Sequence, residues 1–217
     1  MSDPKSAPAR GVHESFMGIL ILDVISSMER YETEDTQVTR RDLVRTIFAA
    51  VEGLAWTYRL HILEVAKSAD AVTLEEELAF SEVSYLVSDQ GKIVSQQRFV
   101  PMPAMLRLTT RLADKLCPGL DAKFDTIGWD RFRKSVKIRN RVTHPKNEGD
   151  LHISGKDVST CIAAFYWLLD LSVSAMEAAT LALKDHVALA REVLDKLKRG
   201  DPATLAMYRA IFLSDGD

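Results

Sequence analysis

The chain has 217 residues, of which 47% are apolar and 27% charged, and a chain of this length buries a substantial core within one domain. Only 10 glycines and 7 prolines occur, and so few helix breakers favour long helices over many short strands. The net charge of −3 excludes a general nucleic-acid coat protein, because such proteins carry a large basic excess. A local basic patch is compatible with this composition.

The sequence predicts neither a secretory leader nor a membrane span. Residues 1–12 are polar and contain proline, which is typical of a disordered tail. The longest apolar runs, 16–22 and 161–169, end at Asp23 and Asp170 and fall short of the ~18 residues that a membrane span needs. We therefore expect a cytoplasmic protein that has no membrane association.

The first half of the chain shows apolar residues at helical spacing, which predicts amphipathic helices. One helix is expected over about 14–30, followed by the polar loop 31–37 and a longer helix that ends near Lys67. A third helix is expected to start at Thr73. Thr73 and Glu76 form the pattern of a capping box, in which each side chain binds a free backbone N–H of the other residue.

Residues 83–100 interrupt the helical rhythm. A short β-hairpin over Tyr85–Val94 fits this segment, since Gly91 tolerates the positive φ that a tight turn needs; an irregular loop is the alternative. Helix is expected to resume near Pro103 and to stop at Pro118-Gly119.

The second half of the chain is also predicted to be helical. A helix over about 126–142 should end before Pro145, which cannot continue it. A polar loop, 146–155, should precede a long helix over 156–183, and helical periodicity continues to Lys198. Gly200 then ends the pattern, and Asp201-Pro202 provides the cap and first position of a last helix.

Several chemical signatures are absent from the sequence. The segment 149–157 is not a phosphate-binding loop, because its glycines are one residue too far apart and Asp157 replaces the Ser or Thr that binds magnesium. None of the five histidines has a zinc-binding partner at helical spacing. The two cysteines, Cys117 and Cys161, lie in apolar helical patterns and are interpreted as packed thiols in a reducing compartment. We therefore predict no metal and no cofactor.

Residues 131–146 form a basic stretch in a chain that is acidic overall, because no acidic residue lies among its cations. These cations are Arg131, Arg133, Lys134, Lys137, Arg139, Arg141 and Lys146. At 100° per residue, Arg133, Lys137 and Arg141 share one helix face, roughly with His144. Arg139 falls on the apolar line of this helix instead. A cation on a buried face needs a partner or a polar cleft.

Two interpretations of this stretch are open. A solvated basic helix end that is capped by His144 needs no function, because a helix C-terminus favours cations. The alternative is a chemical site. Arg139, Asn140 and His144 are separated by short intervals, and Asn140 and His144, four residues apart, can face the same space.

The surroundings of this stretch resemble the HEPN family. The resemblance lies in Trp129-x-x-Phe132, in Ile138–Pro145, and in the polar loop and long amphipathic helix from Asp157. The family signature is an Arg, a polar residue such as Asn, a few residues and then His. This chain matches it with Arg139, Asn140 and His144, and the resemblance covers about 129–183.

The resemblance implies an all-α, up-down helical bundle that dimerises. It divides the chain into a tail (1–12), a HEPN-like domain (13–199) and a C-terminal helix and tail (200–217), with the hairpin as an insert. Many members cleave RNA without metal through the Arg and the His, often in toxin–antitoxin or antiviral systems that include a partner protein. Other members have lost catalysis and serve as modules that bind a protein or nucleotide partner, which is the alternative function here.

The chemistry of RNA cleavage needs the residue types found in this motif. Imidazole suits both proton transfers, because its unperturbed pKa is near 6.5, and His144 is the candidate. An Arg fork suits phosphate oxygens on which charge grows, and Arg139 is the candidate, with Asn140 as an orienting group. A homodimer in which two motifs meet would supply two of each. RNA-backbone binding is predicted for Arg133, Lys137, Arg141 and Lys146.

Overall fold

The computed structural model describes residues 15–120 and 124–212, so the tail predicted for 1–12 lies outside the described residues. The described part is an all-α helical bundle with one small antiparallel hairpin, as predicted. The elements are α1 (Phe16–Thr33), α2 (Gln37–Ser68), α3 (Leu74–Ser81), β1 (Val83–Val87), β2 (Ile93–Gln97), α4 (Met102–Leu116), α5 (Ile127–Thr143), α6 (Gly155–Lys198) and α7 (Pro202–Phe212).

Polar side chains fix where several helices begin. The predicted capping box of α3 is confirmed: the Thr73 N–H donates to Glu76 Oε2 at 2.8 Å, and the Glu76 N–H donates to Thr73 Oγ1 at 3.2 Å. The predicted cap of α7 is confirmed too, since Asp201 Oδ2 accepts from the Thr204 N–H at 2.9 Å. At α5 the Thr126 hydroxyl accepts from the backbone N–H of Trp129. Such caps satisfy N–H groups that the helix itself leaves without a partner.

The core of the bundle lies around α2 and α6. Helix α2 packs against α1, α4, α5 and α6, and α5 packs along α6. The apolar stripe predicted for α2 is buried, with Val44, Ile47 and Leu54 at 1% exposure or less. Tyr58 is also fully buried, and its hydroxyl donates to Thr110 Oγ1 at 3.1 Å, so the one polar atom of this ring keeps a partner.

Helix α6 is longer than the segment 156–183 predicted as one helix. It runs unbroken for 44 residues to Lys198, and most of its side chains after Thr180 are exposed. By length and composition α6 could cross a membrane, and 39% of its apolar window is buried inside the structure. The core helix of a soluble protein meets the same criterion, and the cytoplasmic location stays a prediction.

The predicted hairpin is confirmed and lies between α3 and α4. Its register pairs Val83 with Gln97 and Val87 with Ile93, and its turn has Gly91 at φ 73°. Most side chains of both strands are exposed. The hairpin therefore contributes little to the core, and its effect on the molecule lies at its base, where the chain enters α4.

The close approach of α5 to α6 depends on Gly128. A Cβ atom built there would lie 2.1 Å from Trp167 Cδ1, far inside van der Waals contact. Trp167 belongs to an aromatic cluster with Trp129 and Phe132, in which the ring centroids lie 5.6 to 5.8 Å apart. The Trp167 indole therefore has little room to move away from an added Cβ atom at Gly128.

We expect Gly128→Ala to lower the free energy of unfolding by about 1–3 kcal/mol, the usual effect of overpacking, although alanine is the better helix former. Urea unfolding followed by circular dichroism measures this. Gly155→Ala is the matched control, since Gly155 also lies in the first turn of a helix and has no atom within 4 Å of its added Cβ. Equal stability of the two variants would contradict the packing argument.

Candidate functional site

Helix α5 separates its residues into a buried apolar face and an exposed basic face. Trp129, Phe132, Ser135, Ile138 and Val142 are buried. The exposed cations of the helix are Arg131, Arg133, Lys134 and Lys137. Packing against α6 thus leaves Arg133 and Lys137, two of the predicted RNA-binding residues, facing solvent.

Arg139 lies on the side of α5 that faces the bundle. The sequence predicted that a cation in this position would need a partner. Its Nη2 is ion-paired with Glu52 of α2, and its Nη1 donates to Asn140 Oδ1 at 3.1 Å. The Arg139 side chain is 30% exposed and that of Glu52 is 45% exposed. The sequence analysis did not identify Glu52, because a single sequence does not show that a carboxylate on one helix contacts an arginine 87 residues away.

Arg139 and Asn140 line a cleft of about 440 Å³ between α2, α5 and the start of α4. The apolar part of its lining includes Phe48, Val136, Met102, Met105 and Leu106. Its charged side chains are Glu52, Arg59, Glu82 and Arg139, and its exposed aromatic side chains are Trp56 and Phe99. The cleft is thus concave, mostly apolar, and equipped with a few polar groups, as ligand sites are.

Glu82 holds the hairpin side of this cleft in place. Its carboxylate accepts from the Val100 N–H at 2.9 Å and from Arg59 Nη1 at 3.0 Å. The Val100 N–H and the Arg59 guanidinium hold the pKa of Glu82 below its usual value, against the opposing effect of burial. Arg59 in turn lies over the Trp56 ring, 4.5 Å from its centroid. Glu82 therefore joins α2 to the segment that carries Phe99.

His144 lies at the end of α5, outside this cleft. Its backbone N–H donates to the Asn140 carbonyl at 2.9 Å and closes the helix, and its side chain is exposed. His144 is the C-cap of α5, at φ −127° and ψ 62°, so it lies outside the regular helix that carries Arg139. The fold brings Arg139 and Asn140 together in the cleft, and His144 is not among the residues that line it.

The loop after His144 is tied to the N-terminus of α2. Arg40 Nη1 donates to the Ile153 carbonyl at 2.9 Å, and Gln37 makes two hydrogen bonds with the backbone of Ile153. A 3-10 helix over Glu148–Leu151 occupies part of the predicted polar loop, 146–155. Lys146, a predicted RNA-binding residue, is exposed at the start of this loop.

Arg141 differs from the other predicted RNA-binding residues, because it is engaged within the chain. Its Nη2 donates to Asp157 Oδ2 and to the His152 carbonyl, both at 3.3 Å. Its Nε is buried and has no hydrogen-bond partner among the described residues. Asp157 also caps α6 through Ser154. Arg141 thus joins the end of α5 to the start of α6, and its contact with RNA stays a prediction.

The described residues contain no group of three His, Cys, Asp or Glu side chains that could hold a metal ion. Cys161 is fully buried, and burial raises the pKa of its thiol to about 12, so it is not a thiolate nucleophile at neutral pH.

Comparison of the chain with protein-family models, with curated proteins and with solved structures finds no match. The HEPN resemblance of 129–183 therefore rests on the motif residues and their surroundings alone, and it stays a prediction.

The buried Cys161 thiol should make stability depend on alkaline pH. Its pKa rises from an ordinary 9.0 to about 12 in the folded protein, so the unfolded chain loses this proton first. The stabilisation is complete below pH 9.0 and is lost as the pH approaches 12. Between pH 9.0 and about 12, we expect the free energy of unfolding to fall by about 1.4 kcal/mol per pH unit because of this thiol.

Urea unfolding at several pH values above and below 9.0 tests this expectation. Cys161→Ala should show a shallower decline than the unsubstituted protein. Cys117→Ala is the control, because this second thiol is only partly buried. Parallel declines in the Cys161→Ala variant and the unsubstituted protein would contradict the assignment.

Proposed function

We propose that the chain is a metal-independent endoribonuclease of the HEPN type, which acts as a homodimer. The observation that carries the proposal is the position of Arg139. This cation is bound to Asn140 and lies in a cleft next to an exposed basic helix face, and an exposed imidazole, His144, stands at the end of the same helix. The basic face supplies the electrostatic attraction that RNA backbones need.

The reaction uses the hydroxyl of the substrate as its nucleophile. The 2′-oxygen attacks the adjacent phosphorus, and its proton passes to a neutral imidazole of His144. The bond from phosphorus to the 5′-oxygen breaks, and that oxygen takes a proton from the protonated imidazole of the second His144, which the homodimer supplies. Arg139 donates to the phosphate oxygens as their charge grows. The products carry a 2′,3′-cyclic phosphate and a 5′-hydroxyl, so the proton count balances without water or metal.

A dimer supplies what one chain lacks. Arg139 lines the cleft and His144 lies outside it at the C-terminal end of α5, so the His144 of one protomer can complete the site around the Arg139 of the other. Exposed apolar residues also recur at three-residue intervals along α1, and a contiguous exposed apolar patch is typical of association surfaces. They are Phe16, Ile19, Leu22 and Ile25.

The Arg139–Glu52 pair favours the alternative function to a degree. An arginine that is already paired inside the chain is satisfied without a ligand, as expected in a non-catalytic module that binds a protein or nucleotide. The guanidinium nevertheless has five N–H donors, and Glu52 and Asn140 occupy only part of them. Arg139 can therefore meet a phosphate and keep its internal partners. The HEPN resemblance would place such an enzyme in toxin–antitoxin or antiviral defence, with an antitoxin as the partner protein.

The first test of this proposal is cleavage. Purified protein should cut RNA in the presence of EDTA and leave a 2′,3′-cyclic phosphate, as seen by end-group analysis. Arg139→Ala and His144→Ala should each abolish cleavage, and loss of a proton-transfer group typically lowers the rate by ~10²–10⁴. Arg133→Ala and Lys137→Ala should weaken RNA binding and flatten its dependence on salt, because they remove backbone contacts.

Matched variants separate chemistry from folding in this test. Arg191→Ala controls for Arg139→Ala, and His186→Ala controls for His144→Ala, since both control residues are exposed on α6, away from the basic face of α5. Circular dichroism should be unchanged throughout. Full activity of His144→Ala would refute the mechanism, and an unsubstituted protein that is inert on structured and unstructured RNA would favour the binding-module alternative.

The second test concerns assembly. Light scattering at micromolar concentration should give the mass of a dimer, with the two α5 C-termini close to the two-fold axis. In a Cys117→Ser background, Thr143→Cys should be joined to its partner by a short thiol crosslinker. Asp89→Cys, at the hairpin turn, is the control and should stay uncrosslinked. A monomer, or crosslinking of Asp89→Cys alone, would contradict this arrangement.

A further inference from the structure

Two ion pairs line the cleft beside Arg139. Arg139 is paired with Glu52, and Arg59 with Glu82 at 3.0 Å. These four groups sum to no net charge, and much of the remaining lining is apolar. The apolar part of this lining suits a flat, neutral group with hydrogen-bonding edges, beside a phosphate at Arg139.

Two aromatic side chains of the cleft are exposed although most aromatic residues of the bundle are packed. Trp56 is 51% exposed and Phe99 is 81% exposed, whereas Trp129 and Phe132 are buried. Nucleobases stack on aromatic side chains whatever their sequence, because every base has a π-face. Exposed aromatic rings in a concave site are therefore the groups expected of a base-binding cleft.

The fold holds both aromatic residues in place. The Arg59 guanidinium lies over Trp56 and is fixed by Glu82. Residues on both sides of Phe99 bind Glu82 through their backbones, since Arg98 N–H donates to its carbonyl at 2.7 Å and Val100 N–H to its carboxylate at 2.9 Å. The Trp56 ring and the backbone around Phe99 are thus held before any ligand arrives, which lowers the entropy lost on binding.

The spacing along α2 links this cleft to the proposed cleavage site. Glu52, which holds Arg139, precedes Trp56 by four residues, or about 6 Å of helix rise. A phosphate at Arg139 and a base at Trp56 can therefore belong to one nucleotide or to two adjacent ones.

We infer that the cleft takes the unpaired base of the nucleotide beside the phosphate bound at Arg139, with that base stacked on Trp56. The substrate class is accordingly single-stranded RNA, because a base held in the cleft cannot stay paired in a duplex. This inference rests on the proposed function for the identity of the phosphate site. Trp56 is a substrate-binding residue in this scheme and takes no part in proton transfer.

Binding of short single-stranded oligodeoxynucleotides tests the inference without cleavage, since they lack the 2′-hydroxyl. Their affinity should exceed that of base-free oligonucleotides with the same number of phosphates. Trp56→Ala should weaken binding of the base-containing ligand about 5- to 150-fold, the range known for loss of one base stack. It should leave binding of the base-free ligand unchanged. Trp56→Phe should retain most of the affinity, and Phe99→Ala should weaken binding in the same base-dependent way.

Tyr166→Ala is the matched control, because Tyr166 is 50% exposed on α6 and does not line the cleft. Equal affinity for base-containing and base-free ligands, or an equal loss in Trp56→Ala and Tyr166→Ala, would overturn the inference. So would tighter binding of a duplex than of its separate strands.

Cleavage assays with the same variants separate this inference from the proposed function. If the unsubstituted protein and Trp56→Ala cut single-stranded RNA equally well, the cleft is not a base site and the nuclease proposal stands. If the protein cuts no RNA but binds single strands through Trp56, the base site stands and the nuclease proposal fails. Absence of both binding and cleavage overturns both.

Discussion

The packing of α5 against α6 decides which residues of the basic stretch are available for chemistry. Gly128 allows the two helices to approach, since a side chain there would overlap the ring of Trp167. The aromatic cluster then fixes the rotation of α5 about its axis, with Trp129 and Phe132 inward. With that rotation fixed, most other cations of the helix face solvent and Arg139 alone faces the cleft.

The inward position of Arg139 has an energetic consequence. Burying part of a guanidinium is unfavourable unless its charge is paired and its donors are used, and Glu52 and Asn140 meet that need. In the proposed nuclease, a phosphate would share Arg139 with Glu52. The ion pair would then keep the site assembled before RNA binds and would compete with RNA for the guanidinium.

The hairpin connects to the cleft through Glu82 rather than through its strands. This residue ends α3 at φ 55°, a left-handed conformation that is uncommon outside glycine, and it binds Arg59 and the backbone on either side of Phe99. A segment that adds little to the core therefore shapes one wall of the cleft. A hairpin attached in this way shapes the cleft at its base, while its strands stay largely exposed.

The sequence by itself determined the helical architecture and the candidate motif. The signals for this architecture are local: apolar periodicity, the caps at Thr73 and Asp201, the turn at Gly91 and the helix end before Pro145. They can be recognised in the sequence because hydrogen bonding and sterics of this kind act over a few residues. Only the tertiary structure decided that Glu52 pairs with Arg139, that Arg141 is engaged with Asp157, and that Trp56 and Phe99 share a cleft. These contacts join residues that are far apart in the chain, and their positions depend on how helices rotate and pack against one another, which periodicity along one helix does not specify.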